Sequence, residues 1–333
     1  MSDLLSNHKR LIIGGLAACA TVTTGFLLYR SLRKKQEFIE VGKVDQIYIY
    51  PVKSCRAMSV QHGDCTKRGL KYDVLTDRHW LVVNEENQFT TIKRQPSMVL
   101  ITPSLSEDGR YLLLDAPEMT TLKVPIDVSD VSEGDPKIVD TRVWGQDIQG
   151  VYCGQEAEDW LSKYFKGSGY KLIHANSKVA LRDATGMKRA RPIAKKGDLL
   201  AYQDDAAFML MSQDSVDDLN EKLDNPVSAR NFRPNIVVSG CSAYSEDNWK
   251  FIKIGGAILR HMKCDERCLV TTVDPETGIA SDSREPITTL KKYRKCKEED
   301  KPLYKDSPLL GVHLGIDQEG SLSVGDTVYA VCQ

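Results

Sequence analysis

From Val41 onward the chain is a succession of short runs rich in Val, Ile, Leu and Tyr, each closed by Gly, Pro, Asp or Asn. This spacing constrains the fold more than any other feature, because β-branched and aromatic runs bounded by turn formers are strands. Strands are expected at Val44–Val52, His79–Val83, Met98–Thr102, Tyr111–Leu114, Thr121–Ile126, Lys137–Val143 and Ile148–Tyr152. Others follow at Tyr170–Ala175, Phe208–Met211, Asn235–Ser239, Phe251–Ile254, Ala257–His261, Leu269–Val273, Leu309–Leu314 and Ser323–Val331. Helical periodicity is confined to Gln155–Lys166, to Asp214–Leu223, where Ser215-Val-Asp-Asp218 resembles a capping box, and to Pro286–Lys297. Few gaps between strands hold a helix long enough for a parallel crossover. The expected class is therefore β-rich α+β, with mostly antiparallel barrels or mixed sheets.

Ahead of this region, Leu11 to Tyr29 carries no charge. At about 1.5 Å per residue, a helix of that length just spans a hydrocarbon core of roughly 30 Å. Lys9 and Arg10 precede the run and Arg30, Arg33, Lys34 and Lys35 follow it, so positive-inside reasoning keeps the rest of the chain on the cytosolic side. A cleaved signal peptide fits less well, because the apolar run ends at Tyr29-Arg30 and enters a basic cluster. Gly14, Gly15 and Gly25 dilute the segment, which suits a thin membrane such as the mitochondrial outer membrane or the endoplasmic reticulum.

The 45 Lys and Arg nearly balance the 46 Asp and Glu, giving a net charge of −1, which argues against a dedicated nucleic-acid binder. Nine cysteines spread over 333 residues lack the density of a disulfide scaffold and point to a reducing compartment. Between 177 and 197, Lys178, Arg182, Lys188, Arg189, Arg191, Lys195 and Lys196 cluster around Pro192, without the interleaved aromatics that nucleic-acid stacking needs. This reads as a solvated basic linker. It divides the chain into an anchor and basic flank at 1–40, a β-rich domain at 41–176 and a second domain at 198–333.

There is no Walker loop, Gly-x-Gly-x-x-Gly, His-Glu-x-x-His or Gly-x-Ser-x-Gly, so the nucleotide, dinucleotide, zincin and α/β-hydrolase readings lose their supports. Among the cysteines, Cys268 directly follows Arg267 and heads a β-branched run. A neighbouring guanidinium favours a thiolate, and a thiolate at the head of a rigid strand is a soft-metal ligand. A buried inert cysteine fits the same pattern. A zinc site from Cys241, His261, Cys264 and Cys268 lacks a matching second pair of ligands. Lys53, Arg78 and Arg233 each sit in a short turn beside an expected strand. They either converge on an anion, with the Ser54 hydroxyl and backbone N–H groups completing a phosphate nest, or are separate solvated charges.

At these residues the chain resembles the MOSC superfamily, and within it the mitochondrial amidoxime reducing component family of molybdenum enzymes. The resemblance rests on Tyr50-Pro-Val-Lys-Ser54, on Asp77-Arg78 and on Asn231-Phe-Arg-Pro-Asn235 with the strand that follows to Cys241. It rests further on Arg267-Cys268-x-x-Thr-Thr-Val-Asp-Pro-Glu-Thr-Gly278 and on Val324-Gly-Asp-Thr-Val-Tyr329. It implies an N-terminal β-barrel-like domain and a C-terminal MOSC barrel behind a single membrane anchor, with a molybdopterin-bound molybdenum held by the Cys268 thiolate. Lys53, Ser54 and Arg78 would hold the pterin phosphate. Arg233, Asn235, Glu266 and Arg267 would hold its ring system, and Asp205 and Ala206 would line it. The spacing Cys264-Asp-Glu-Arg-Cys268 departs from the family's common Cys-x-Arg-Cys and puts a role for Cys264 in doubt.

Similar enzymes reduce amidoximes, hydroxylamines and N-hydroxyguanidines with electrons from NADH, passed through a flavin reductase and a membrane b-type cytochrome at the mitochondrial outer membrane. Lys291, Lys292, Arg294, Lys295 and Lys297 would then either dock an acidic cytochrome or form an ordinary solvated face. The alternative within the same fold is a sulfur carrier or cofactor-handling protein that uses a Cys268 persulfide.

Overall fold

Seven strands close into a barrel in the computed structural model, which describes residues 37–127, 136–186 and 194–332. In chain order they are β1 (Ile39–Ile49), β2 (Phe208–Ser212), β3 (Ile236–Ser239), β4 (Trp249–Ile254), β5 (Ala257–Glu266), β6 (Leu309–Gln318) and β7 (Thr327–Cys332). Their order around the barrel is β3, β2, β6, β5, β4, β7 and β1, with β1 closing onto β3. The segment expected to open the first domain thus supplies a strand to the barrel of the second. All pairings are antiparallel except β2 with β3. That parallel pair carries the crossover helix α1 (Gln213–Asn220) between its strands.

Alternation along β1, β2 and β3 explains where the interior lies. Ile47, Ile49, Phe208, Leu210, Ile236 and Val238 point into the main core. The intervening Tyr48, Tyr50, Met209, Met211 and Val237 join Phe232, Leu290 and Leu310 in a second apolar cluster. Both faces of these strands are buried, so a slip of one residue would exchange the two cores.

Outside the barrel, the described strands form open antiparallel sheets. One joins Ile138–Val143, Gln146–Tyr152, Lys171–His174 and Trp80–Val83. Another joins Thr102–Leu105, Tyr111–Asp115 and Leu122–Pro125, and a third pairs Gly320–Ser323 with His62–Thr66, Gly69–Tyr72 and Leu75–Thr76.

Four local expectations are corrected. Leu269–Thr272 is a 3-10 turn rather than a strand, because Thr271 and Thr272 donate their hydroxyls to Cys268 O and Leu269 O at 3.0 and 2.8 Å and so compete with a ladder. Pro96–Leu100 is likewise a 3-10 turn, opened by its proline. Helix α1 is capped by Ser212, whose hydroxyl accepts from Ser215 N, rather than by Ser215 itself. The third expected helix is shorter, Ile287–Tyr293, since Lys295 is already bridged to Pro308. The apolar run 11–29 and positions 187–193 lie outside the described residues; among the described residues no helix is long and apolar enough to cross a membrane.

Candidate cofactor site

The site begins with a buried tyrosine between two arginines. Tyr50 ends the alternating run of β1 and is 1% exposed. Arg78 lies over one part of its ring at 4.6 Å and Arg233 at 4.3 Å. Both arginines, and Ser54 beside them, have left-handed backbones with φ of +54°, +58° and +73°, a conformation that side-chain-bearing residues hold only where the surroundings enforce it.

These turns are tied to one another. Arg78 pairs with Asp77 at 2.5 Å and donates to Arg233 O at 3.1 Å. Arg233 donates to Cys55 O at 2.8 Å. Asp77 accepts from Tyr50 N at 2.8 Å. Burial lowers the Arg233 guanidinium to about 10, and among the described residues it has no carboxylate partner.

Lys53 approaches from the turn after β1, donating to Tyr202 O at 2.8 Å and pairing with Asp204. The loop 201–204 is fixed at several points. Gln203 donates to Asp77 O at 2.7 Å and accepts from Ala201 N, while Arg182 donates to Ala201 O at 3.0 Å and to Gln203 O. Arg182 is 4% exposed, so this member of the expected solvated linker is a buried structural cation instead. Asp204 also accepts from the Trp144 indole at 2.6 Å. Partial desolvation acts to raise its carboxyl, but Lys53, the Trp144 indole and Arg78 together hold it below the ordinary value.

On the barrel side, β5 ends in Lys263-Cys-Asp-Glu-Arg267. Lys263 pairs with Asp205 at 2.9 Å and with Glu266. Arg267 donates to Leu310 O at 2.7 Å and Phe232 O at 3.0 Å, and pairs with Asp265 at 2.9 Å. His313 reaches the other Asp265 oxygen at 3.1 Å. Burial alone would raise Asp265, but Arg267 and His313 bring it down to about 2. Gly311, at φ +76°, is required here: a Cβ would stand 2.5 Å from Met209 Cε and 3.1 Å from Arg267 Nη2. Asn235 sits beneath, accepting from Met209 N at 3.1 Å and donating to Tyr48 O at 3.2 Å.

Cys268 follows at the N-cap of the 3-10 turn, with its residue exposed. The expected pull of Arg267 on the thiol has the right direction but is outweighed, that guanidinium being engaged with two carbonyls and Asp265. Partial burial of the sulfur raises the Cys268 thiol above the ordinary value; Val270 N–H opposes this, Asp204 and Asp265 add to it, and Arg267 opposes it.

The carbonyls of Phe232 and Arg233 are therefore held by Arg267 and Arg78 respectively, which joins the thiol segment to the cationic turns. Glu276 adds a clamp, meeting Arg56 at 2.8 Å and Arg230 at 2.6 Å. Side-chain bonds to shared backbone thus join Arg78, Arg233 and Arg267, with Lys53 reaching the 201–204 loop and Ser54 and Cys268 as chain neighbours. Asp205 and Glu266 meet at Lys263, Asn235 bonds instead to Met209 N and Tyr48 O, and Ala206 is buried. Tyr50, Asp204 and Lys263 carry no local signal that separates them from ordinary strand-end residues.

The residues fit an anionic group carrying a sulfur-seeking metal. Three cations, Lys53, Arg78 and Arg233, face two carboxylates, Asp77 and Asp204. The buried Tyr50 hydroxyl has no hydrogen-bond partner, and a thiol stands exposed at the edge.

Residues 41–168 match the MOSC N-terminal beta barrel domain and residues 198–329 match the MOSC domain, the class that this barrel and site define. Mitochondrial amidoxime-reducing component 1 of Xenopus laevis is 38% identical over 329 residues, covering 98% of this chain and 93% of its own. The protein of that name from Mus musculus is 39% identical over 319 residues, covering 96% and 91%. The one from Homo sapiens is 38% identical over 322 residues, covering 96% and 92%. The chain belongs to the mitochondrial amidoxime-reducing component family.

Proposed function

We propose that this protein is a molybdenum-cofactor-dependent reductase of N-hydroxylated compounds: amidoximes, hydroxylamines and N-hydroxyguanidines. The observation that carries the reading is the exposed Cys268 thiol, joined through Arg267, Phe232 and Arg233 to a buried cluster with more positive than negative charge.

Cys268 would be the protein's ligand to the metal. Its raised pKa means that loading releases a proton and is favoured as pH rises. Lys53, Ser54 and Arg78 would hold the cofactor phosphate, with charge-assisted hydrogen bonds in a water-poor setting. Arg233, Asn235, Glu266 and Arg267 would hold the pterin ring system, with Asp205 and Ala206 lining it. When bound, the cofactor supplies the two-electron, oxygen-accepting chemistry that N–O cleavage needs. Overall the substrate N–OH takes up two electrons and two protons and leaves as N–H and water. Arg267 and Asp265 do not touch that chemistry; they fix the direction from which the thiol is presented.

The electrons would come from NADH through a flavin reductase and a membrane b-type cytochrome. The name of the relatives supports a mitochondrial location, and residues 11–29 would anchor the chain to the outer membrane with its catalytic part in the cytosol. Holding the three partners on one membrane face raises their effective concentration without a tight interface. Cys268→Ala tests the reading: a folded variant should lack molybdenum and amidoxime turnover, whereas retained turnover would end the proposal.

A further inference from the structure

The hairpin that joins Ile138–Val143 to Gln146–Tyr152 turns on two residues, Trp144 and Gly145, with φ of +50° and +86°. Positive φ at both positions is the type I′ turn, for which Asn-Gly is the favoured pair. A bulky aromatic in the first position is strained. It is also 56% exposed, whereas Trp80, Trp160 and Trp249 are 1%, 7% and 1% exposed. Neither strand pairing nor core packing accounts for an indole in this position.

The ring is nevertheless held. Its N–H donates to Asp204 at 2.6 Å, on the same carboxylate oxygen that pairs with Lys53. Phe89 meets it edge-on, centroids 5.7 Å apart. Asp204 is half-exposed, and its chain neighbour Asp205 pairs with Lys263, which also meets Glu266, two residues before Cys268. The residue after that thiol, Leu269, is itself 39% exposed. A fixed, exposed aromatic plate thus stands beside the carboxylate that pairs with Lys53 and adjoins Asp205, while a second exposed apolar group follows the thiol. Flat apolar surface at the rim of a polar site is what orients a ligand whose reacting end is polar.

We propose that Trp144 is a specificity-determining residue, the platform on which the flat, non-reacting part of an aryl N-hydroxylated substrate stacks. This rests on the proposed reductase reading. Trp144 would select aryl over small aliphatic substrates through binding rather than through the chemical step.

The test compares the full-length holoprotein with its Trp144→Asn variant, which installs the pair the turn prefers and so preserves the hairpin. The probes are benzamidoxime and acetamidoxime, which share the reacting group and differ in phenyl against methyl. The phenyl-to-methyl ratio of kcat/KM is expected to fall about fivefold, through KM. An unchanged ratio, or equal loss on both substrates, overturns the proposal. Binding is read separately by tryptophan fluorescence, in which the other three indoles are buried. Benzamidoxime should quench the wild type saturably and Trp144→Asn not at all. If the wild type reduces neither amidoxime, this quenching decides: its presence keeps the stacking subsite while the reductase reading falls, and its absence removes both.

Discussion

Replacing Arg267 by Met measures how much of the thiol's position depends on one guanidinium. The wild-type side chain satisfies the carbonyls of Leu310 and Phe232 and neutralises Asp265, and all three groups are bound at 3.0 Å or less. Methionine fills similar volume but leaves the buried Asp265 carboxylate to His313 and strands two buried carbonyls. Breaking a buried ion pair by removing one partner costs about 3–5 kcal/mol, and the stranded charge is a large share of that. Arg267→Met should therefore lose about 4 kcal/mol in urea unfolding. Asp265→Asn in the same chain should restore about half, giving a coupling of about 2 kcal/mol in a double-mutant cycle.

Acid adds a second signature. The Asp265 carboxyl is depressed to about 2 from 3.8, so its contribution is present above about pH 4 and lost as pH falls towards 2, by about 2 kcal/mol. That loss should shrink in Arg267→Met, where His313 still holds the carboxylate. The alkylation rate of the metal-free Cys268 thiol should change by less than about threefold, as burial outweighs Arg267 there. A stability cost below about 1 kcal/mol, or alkylation slowed by about tenfold or more, would refute the tether and restore Arg267 as a thiolate promoter.

Other expectations follow from the same network. Burial raises Glu246 to about 7 from 4.5, so the stability it gives below pH 4.5 is lost as pH rises through 7, by about 3 kcal/mol. Glu246→Gln, which keeps bonds to Ser212 N and Ser215 Oγ, should remove that slope and be the more stable protein at pH 8 in thermal unfolding. Glu276→Gln breaks half-exposed pairs with Arg56 and Arg230; it should cost under about 1 kcal/mol while speeding amide exchange over 274–278. Lys53→Gln removes a cation that is only 5% exposed and should weaken cofactor retention on dialysis by about 30-fold or more, with little change in secondary structure by circular dichroism.

The strand pattern carried most of the barrel because Ile, Val and Leu alternate with turn formers, and the three helices followed from their periodicity. What the pattern concealed was long-range. Nothing near Ile39 says that it pairs with Ala330 and that its strand closes onto β3, since these partners lie from about 190 to almost 300 positions away. Leu269–Val273 reads as a strand by composition, yet its threonine hydroxyls turn back onto the backbone. The cations of the site were legible from their framed turns. Their wiring was not: Arg182 stands in a basic run that looks solvated, and Asp204 is one acid among many. Arg294, counted with the basic face, is paired to Asp247 at 2.5 Å and lies over Tyr244 at 3.9 Å, leaving Lys291 and Lys292 as the exposed charges of that helix.

Whether the Cys268 sulfur holds a metal decides the proposed function, and elemental and pterin analysis of the purified full-length protein beside its Cys268→Ser variant measures that directly. Wild type should contain molybdenum and pterin in equimolar amounts with the chain, and the variant should lose the metal while keeping the fold. A folded wild type with neither molybdenum nor pterin, or a serine variant that holds the metal as firmly, would contradict it.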